Sequence, residues 1–334
     1  MSVTFKDVAQ LAKVSTQTVS RVTNGSKNVA AETRKRVFIA IEQLGYVPNK
    51  GAQILARAKS KFVGVITVDI LHHGASNFVR GIHQQSKELD HEISLSLLTD
   101  ASFENVIASI KEFKSLRIEF IIINVPLLKE QAEQIVTQFQ TQQFIFIDIP
   151  DNTQAHSICA DHFTGAIQAA NLMLTLQKKH ILLLSGPKNT LAAEQRIKGW
   201  KKTLKAKHIV GLLYGNWAAE TGYKLTKNCL KTGIIFDAVL VGNDQMALGV
   251  LRALSEFNLN VPTDVAIIGF DNTEDSAYYS PPLTTIEQSF SDIGKQAVLS
   301  VFHNAKNQHS QFTHQKFKTT LIERQSTGPS SHLL

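Results

Sequence analysis

From Phe62 onward the chain repeats one pattern: a short run of β-branched and aromatic residues, then a longer amphipathic stretch. No other feature constrains the fold as much. The runs cover residues 62–68, 93–98, 120–125, 144–149, 181–184, 238–241 and 265–270. Runs that are apolar throughout, rather than at every second position, suit strands buried on both faces, and the helical stretches between them suit the crossovers of a parallel sheet. The 273 residues after Lys61 exceed what one such sheet uses, so an α/β body of two doubly wound parallel-sheet subdomains is expected. One lobe is expected over about 62–160 and 290–317, the other over about 161–289 and 318–328, with a tail at 329–334.

Ligands of doubly wound sheets sit beyond the carboxyl ends of the strands. Here those ends carry polar side chains. Asn124 follows Ile121-Ile122-Ile123, Asp148 follows Phe144-Ile145-Phe146-Ile147, Asn243 follows Val239-Leu240-Val241-Gly242, and Asp271 follows Ile267-Ile268-Gly269-Phe270. Arg196 lies in a helix after the Gly186-Pro187 turn, and Trp217 lies in the loop Gly215-Asn216-Trp217. Carboxylates, amides and a guanidinium beside an aromatic face suit a sugar, because each desolvated hydroxyl needs a donor and an acceptor. Each residue also has an ordinary reading, since Asn and Asp after strands serve turns and caps and a Trp serves a core. Asp244 reads as a helix cap.

Charge is distributed unevenly. The first 61 residues hold eleven basic and three acidic side chains, a net +8, whereas the remaining 273 hold 24 and 25, a net −1. A small basic module on a neutral body is the electrostatic form of a phosphate-binding attachment, so nucleic acid is the expected partner. Within residues 1–48 a helix-turn-helix is expected. Thr4 caps a helix over Phe5 to Ala12, Ser15 caps a second through Val22, and a third runs from Ala31 to Leu44 and is closed by Gly45. In the second helix Val19 and Val22 face inward and leave Thr16, Gln17, Ser20 and Arg21 outward. That set suits a major groove, where Gln bridges adenine and Arg reaches guanine. Arg34, Lys35 and Arg36 are placed for phosphates. The alternative is a solvated three-helix domain without a ligand.

Three stretches carry a family likeness: Val3-Thr4-Phe5-Lys6-Asp7-Val8-Ala9, Val14-Ser15-Thr16-Gln17-Thr18-Val19-Ser20-Arg21-Val22 and Gly45-Tyr46-Val47-Pro48-Asn49. They resemble the motif of the lactose and galactose repressor family of bacterial transcription regulators, and the likeness covers nearly the whole chain. The resemblance implies a periplasmic-binding-protein-like body. It also implies a sequence-specific repressor of a sugar-utilisation operon, bound as a homodimer to palindromic double-stranded operator DNA. A sugar effector, a β-galactoside or related glycoside, would release it. Residues implied to touch DNA are Thr4, Ser15, Thr16, Gln17, Thr18, Ser20, Arg21, Asn24 and Asn49, with Thr16, Gln17 and Arg21 reading bases. Residues 49–61 correspond to the family's hinge helix, and Leu55 to its minor-groove wedge. Leu55 also reads as a linker residue packing on the next domain. Gly51 lowers helix propensity in the hinge, and Ala30 stands where the family caps its third helix with a Ser.

For the effector, the resemblance gathers Asn124, Asp148, Arg196, Trp217, Asn243 and Asp271 into one site and adds Gln288 and Phe290. It also marks departures. His72, Gly74, Ala75 and Phe78 replace an apolar rim, Ala160 replaces a Phe, and Ala192 replaces a Ser. The hydroxyl-binding half is kept and the half facing the substituent is altered.

Other classes are narrowed by what the sequence lacks. The N-terminus has no apolar signal core and no run approaches membrane-spanning length, so a cytoplasmic location without membrane contact is expected. Two isolated cysteines, Cys159 and Cys229, fit a reducing compartment. A dinucleotide fingerprint, a P-loop and a nucleophile elbow are all missing, and the twelve His show no metal-ligand spacing. Neither an enzyme nor a cofactor or metal site is expected. A periplasmic sugar-binding protein would have no use for the basic module. No apolar heptads follow the last strand, so a dimer is expected rather than a tetramer. A different sugar, or an effector that strengthens DNA binding, remains the alternative.

Overall fold

The computed structural model describes residues 3–26, 28–47, 60–306 and 311–328. The chain divides into two compact units, Met1–Ser60 and Lys61–Leu334.

The first unit holds α1 (Phe5–Ala12), α2 (Thr16–Thr23) and α3 (Ala31–Leu44). Its core is small-residue packing of Val8, Ala9, Ala12, Val19, Val22, Val37 and Ala40. Local chemistry sets each helix end. The Thr4 N–H and hydroxyl both donate to Asp7 at 2.8 Å, and the Ser15 hydroxyl accepts from the Thr18 N–H at 3.1 Å. Gly45 ends α3 with φ of +60°, in the left-handed region that Gly enters without steric cost. Ala30 precedes α3 and offers no side-chain cap.

The second unit begins with β1 (Phe62–Thr67), α4 (His73–Glu88), β2 (Glu92–Leu97), α5 (Phe103–Ser115), β3 (Phe120–Asn124), α6 (Lys129–Gln138), β4 (Gln143–Ile147) and β5 (Ser157–Ala160). There follow α7 (His162–Thr175), β6 (Ile181–Ser185), α8 (Leu191–Thr203), β7 (Ile209–Tyr214), α9 (Ala219–Lys231), β8 (Ala238–Val241), α10 (Asp244–Glu256), β9 (Ala266–Ile268) and β10 (Thr285–Glu287). The unit closes with α11 (Phe290–Lys306), β11 (His314–Phe317) and β12 (Thr320–Ile322).

Two parallel sheets result. One has six strands in the order β11-β5-β4-β3-β1-β2, the other four in the order β7-β6-β8-β9, and β10 pairs antiparallel with β12 beside the second. The central strands of each sheet are covered on both faces, which is why they read as continuous apolar runs. Ile66, Ile121, Ile123 and Phe146 face one core and Val63, Val65, Ile122 and Ile145 the other. In the second sheet Leu183, Leu240 and Ile268 oppose Leu182, Val239 and Ile267. The chain passes between the lobes after Ala160, after Glu287 and after Phe317. Strands β5, β7, β10, β11 and β12 have no counterpart among the sequence runs. Several of them are half-exposed or polar edge strands, such as β11 with its sequence His314-Gln315-Lys316-Phe317.

Candidate functional site

The carboxyl ends of both sheets open on one cavity of about 730 Å³. From the first lobe it is lined by Thr67, Asn124 and Asp148, from the second by Arg196, Trp217, Asn243 and Asp271, with Phe290 at the crossing. The backbone is unusual where it turns out of the strands. Asp148, Asn189, Trp217 and Asp271 all line the cavity with positive φ, of 54°, 63°, 73° and 115°. Left-handed conformations in residues with a Cβ cost free energy and cluster where a site dictates them.

Arg196 organises the second lobe's half. It is buried, at 4% exposure, with its guanidinium 3.9 Å from the Phe270 ring centroid and 5.2 Å from that of Trp217. One terminal nitrogen donates to the Gly242 carbonyl; the other lies 3.4 Å from His162 Nδ1 and 3.7 Å from Asp271 Oδ1. Its Nε has no hydrogen-bond partner among the described residues. A guanidinium only donates, so His162 Nδ1 is the acceptor and its Nε2–H donates to Asp148 at 3.0 Å. His162 thus joins Asp148 of one lobe to Arg196 of the other.

Asp271 accepts from Gln288 Nε2 at 2.5 Å. Burial pushes its carboxyl up to about 8, although Arg196 beside it pulls the other way. A carboxyl that keeps its proton near neutral pH can both donate to and accept from a hydroxyl. Asn243 is already committed: its Oδ1 caps α10 by accepting from the Met246 N–H, and its Nδ2 donates to the Trp217 carbonyl, both at 3.0 Å. It holds the Trp217 loop as much as it faces the cavity. Gly186 supports the same ring, because a methyl at that position would overlap the Trp217 indole.

Not every expected residue plays its expected part. Gln288 is not among the residues lining the cavity; it lies behind Asp271 and positions it. Asp244 is not the cap of its helix, since Asn243 holds that position. Asp244 is the first helical residue, fully buried, and accepts from the Thr273 N–H at 2.9 Å and the Thr285 hydroxyl at 2.6 Å. Desolvation raises its carboxyl to about 7. Ala160 does not line the cavity, whereas His72, Gly74, Ala75, Phe78 and Ala192 do.

In the first unit Thr16, Gln17 and Arg21 are exposed along α2. Ser15 and Thr18 share a hydroxyl contact of 2.9 Å at its start, and Asn24 Nδ2 donates to Ser20 Oγ at its end. Lys35 and Arg36 are exposed on α3, but Arg34 donates to the Ser26 carbonyl at 2.7 Å and so fixes the loop before α3. Asn49 and Leu55, with the rest of 48–59, lie outside the described residues.

Comparison with known proteins decides the assignment. Residues 4–49 match the family model of bacterial regulatory proteins, lacI family, and residues 171–327 match the periplasmic binding protein-like domain. The lactose operon repressor of Escherichia coli (strain K12) is 35% identical over 327 residues, covering 97% of this chain and 91% of that protein. The chain belongs to the lacI family. Catabolite control protein A of Priestia megaterium is 32% identical, covering 89% and 91% of the two chains. The transcriptional repressor PurR of Pasteurella multocida (strain Pm70) is 31% identical, covering 90% and 91%. A crystal structure of the lac repressor dimer bound to operator and the anti-inducer ONPF superposes with a TM-score of 0.92 at 34% identity, covering 98% of this chain and all of that one.

This lacI-family protein is therefore a DNA-binding transcriptional repressor and not an enzyme. Among its described residues no helix is long and apolar enough to cross a membrane. Two residues that hold the cavity's Arg196 from behind escape a reading of the sequence. His162 is one of twelve scattered His, and Phe270 ends an apolar run that reads as core. Only the fold shows that one bridges Asp148 to Arg196 and the other stacks on that Arg.

Proposed function

We propose that this repressor binds a palindromic operator as a homodimer and releases it when a sugar, a β-galactoside or closely related glycoside, occupies the cavity between the lobes. The observation that carries the reading is the convergence of Asp148, Arg196, Asn243 and Asp271 with the rings of Trp217 and Phe290 around one cavity. A sugar needs hydroxyl partners of both senses and an apolar face, and this set supplies both. Arg196 suits the role further because its Nε is buried and unpartnered, so a hydroxyl there satisfies a donor that the protein alone leaves open. The lactose operon repressor and the operator-bound lac repressor dimer among its relatives support the effector class and the assembly.

On the DNA side, Thr16, Gln17 and Arg21 read bases and Lys35 and Arg36 contact phosphates, as their exposure allows. Asn49 and Leu55 complete the DNA contacts in this proposal. A sugar releases DNA only through its differential affinity for two states of the dimer, so operator DNA must weaken sugar binding by the same factor.

The test is isothermal titration of the purified protein with galactosides, glucosides and free monosaccharides, paired with operator binding at each ligand concentration. Saturable binding of a galactoside with parallel loss of operator affinity is expected. Binding confined to non-sugars, or sugar that tightens operator binding, would overturn the proposal.

A further inference from the structure

Asp271 and Asn272 are the only chain neighbours among the described residues that both have positive φ, of 115° and 53°. An Asp at 115° lies beyond the left-handed helical pocket, and such backbone persists only where the surroundings fix it from several sides. This turn, just after β9, brings Asp271 to the cavity. Relaxing φ at Asp271 toward the ordinary negative region would swing its side chain away from Arg196.

The restraints on the turn come from behind the cavity. The N–H groups of Asp271, Asn272 and Thr273 donate in succession to the Ile286 carbonyl at 2.7 Å, the Thr285 hydroxyl at 3.3 Å and the Asp244 carboxyl at 2.9 Å. Thr285 gives its own hydroxyl hydrogen to the other oxygen of Asp244 at 2.6 Å. The Asn272 side chain is held from two sides: its Nδ2 donates to Glu287 at 3.1 Å, and its Oδ1 accepts from Arg324 Nη2 at 2.7 Å. Arg324 Nη1 donates to the Leu283 carbonyl at 2.8 Å, so one planar guanidinium ties the turn to the segment before β10. Arg324 stands 52 positions along the chain from Asn272 and is itself seated. Its N–H donates to Thr284 Oγ1 at 2.8 Å, and two residues later Ser326 accepts the Ile267 N–H at 3.0 Å and gives its hydroxyl hydrogen to the Ile267 carbonyl at 2.7 Å. Neither Asn272 nor Arg324 lines the cavity.

We infer that Arg324 is a positioning residue of the effector site: by holding Asn272 in its left-handed conformation it fixes the direction of Asp271, so the C-terminal segment governs effector affinity from outside the cavity. The effect on affinity rests on the proposed sugar reading of the cavity, which the inference extends to a residue that does not touch the ligand.

The experiment uses the full-length protein, methyl β-galactoside as the probe, and the variants Arg324→Met, Asn272→Ala and their combination. Each single variant is expected to weaken sugar binding about tenfold, the equivalent of one net hydrogen bond lost through misplacement of Asp271. The combination should lose no more than either alone, because both break the same link. Arg324→Lys, which keeps the charge but not the fork, should fall between wild type and Arg324→Met. Hydrogen exchange across residues 269–274 needs no sugar: it should quicken in both single variants while β6 and β8 keep the exchange of wild type. Unchanged exchange in that segment, wild-type sugar affinity in Arg324→Met, or losses that add in the combination would each overturn the inference, the last by assigning Arg324 a separate structural role. Faster exchange in a protein whose wild type binds no sugar would support the hold on Asp271 and defeat the sugar reading instead. Should melting curves show that Arg324→Met does not fold, the half-buried Asn272→Ala and Arg324→Lys carry the test.

Discussion

The two units of this repressor solve the placing of functional side chains in opposite ways. In the first, the outward residues Thr16, Gln17 and Arg21 lie on one short helix whose inward residues, Val19 and Val22, are part of the same eight-residue segment. Function and core alternate along one stretch of chain. In the second, Asp148, Arg196, Asn243 and Asp271 come from segments spread over more than a hundred residues, and they meet only because strand ends of two sheets face each other. The first arrangement needs little beyond its own helix. The second is only as good as the whole lobe-to-lobe geometry, and the Arg196–His162–Asp148 chain, its first two members buried, is what spans it.

The contrast can be broken at its strongest point with Arg196→Leu. A hydrogen bond from a charged guanidinium to a sugar hydroxyl is worth about 1.5–3 kcal/mol, so sugar affinity should fall by about ten- to a hundredfold while operator affinity without sugar stays within about threefold. Titration calorimetry and gel-shift titration read the two quantities. Equal loss of both would show that the cleft and the DNA-reading helix are not separable. Asp271→Asn should be milder, because a carboxyl raised to about 8 is already protonated near neutral pH and an amide mimics it.

A pH series comes next in size. Unfolded Asp244 releases its proton near pH 4, whereas the buried side chain keeps it to about 7. Between those values unfolding releases a proton, so the stabilising contribution is fully present below about pH 4 and is lost as pH rises through about 7. The slope is up to about 1.4 kcal/mol per pH unit. Asp271, raised to about 8, extends the window upward. Melting temperatures of wild type and Asp244→Asn between pH 4.5 and 8 should diverge, the variant falling less steeply. Parallel curves would show that Asp244 is ionised in the fold.

Smaller effects sharpen the DNA side. Gln17→Ala should weaken specific operator binding by about 1–3 kcal/mol and relax the choice at one base pair. A randomised-site selection that returns an unchanged preference would remove Gln17 from the reading set. Lys35→Ala should weaken all sequences about equally and lower the salt dependence by about one counterion, which a binding series from low to moderate salt measures.

Legibility in the sequence follows the same division. Helix boundaries of the first unit are written in neighbouring residues, such as Thr4 with Asp7 or Ser15 with Thr18, because caps act over three positions. Most buried strands are legible because parallel strands covered on both faces must be apolar throughout; β5, buried at all four positions, is too short and too mixed in its Ser157-Ile158-Cys159-Ala160 sequence to read as such a run. Edge strands such as β11 carry no such demand, and they leave no comparable trace in the sequence.

The sequence by itself determined the alternation of strand and helix, the caps, the basic module and the polar residues at strand ends, all properties of segments a few residues long. Tertiary structure alone decided which of those polar residues act together. It tied Asn243 to the Trp217 carbonyl, set Gln288 behind Asp271, and made a bridge of His162. It also placed His72 between Asp69 and Gln245, residues 176 positions apart. The reason is physical: whether a side chain's donors and acceptors are satisfied depends on neighbours brought together by folding, and a linear pattern does not record them.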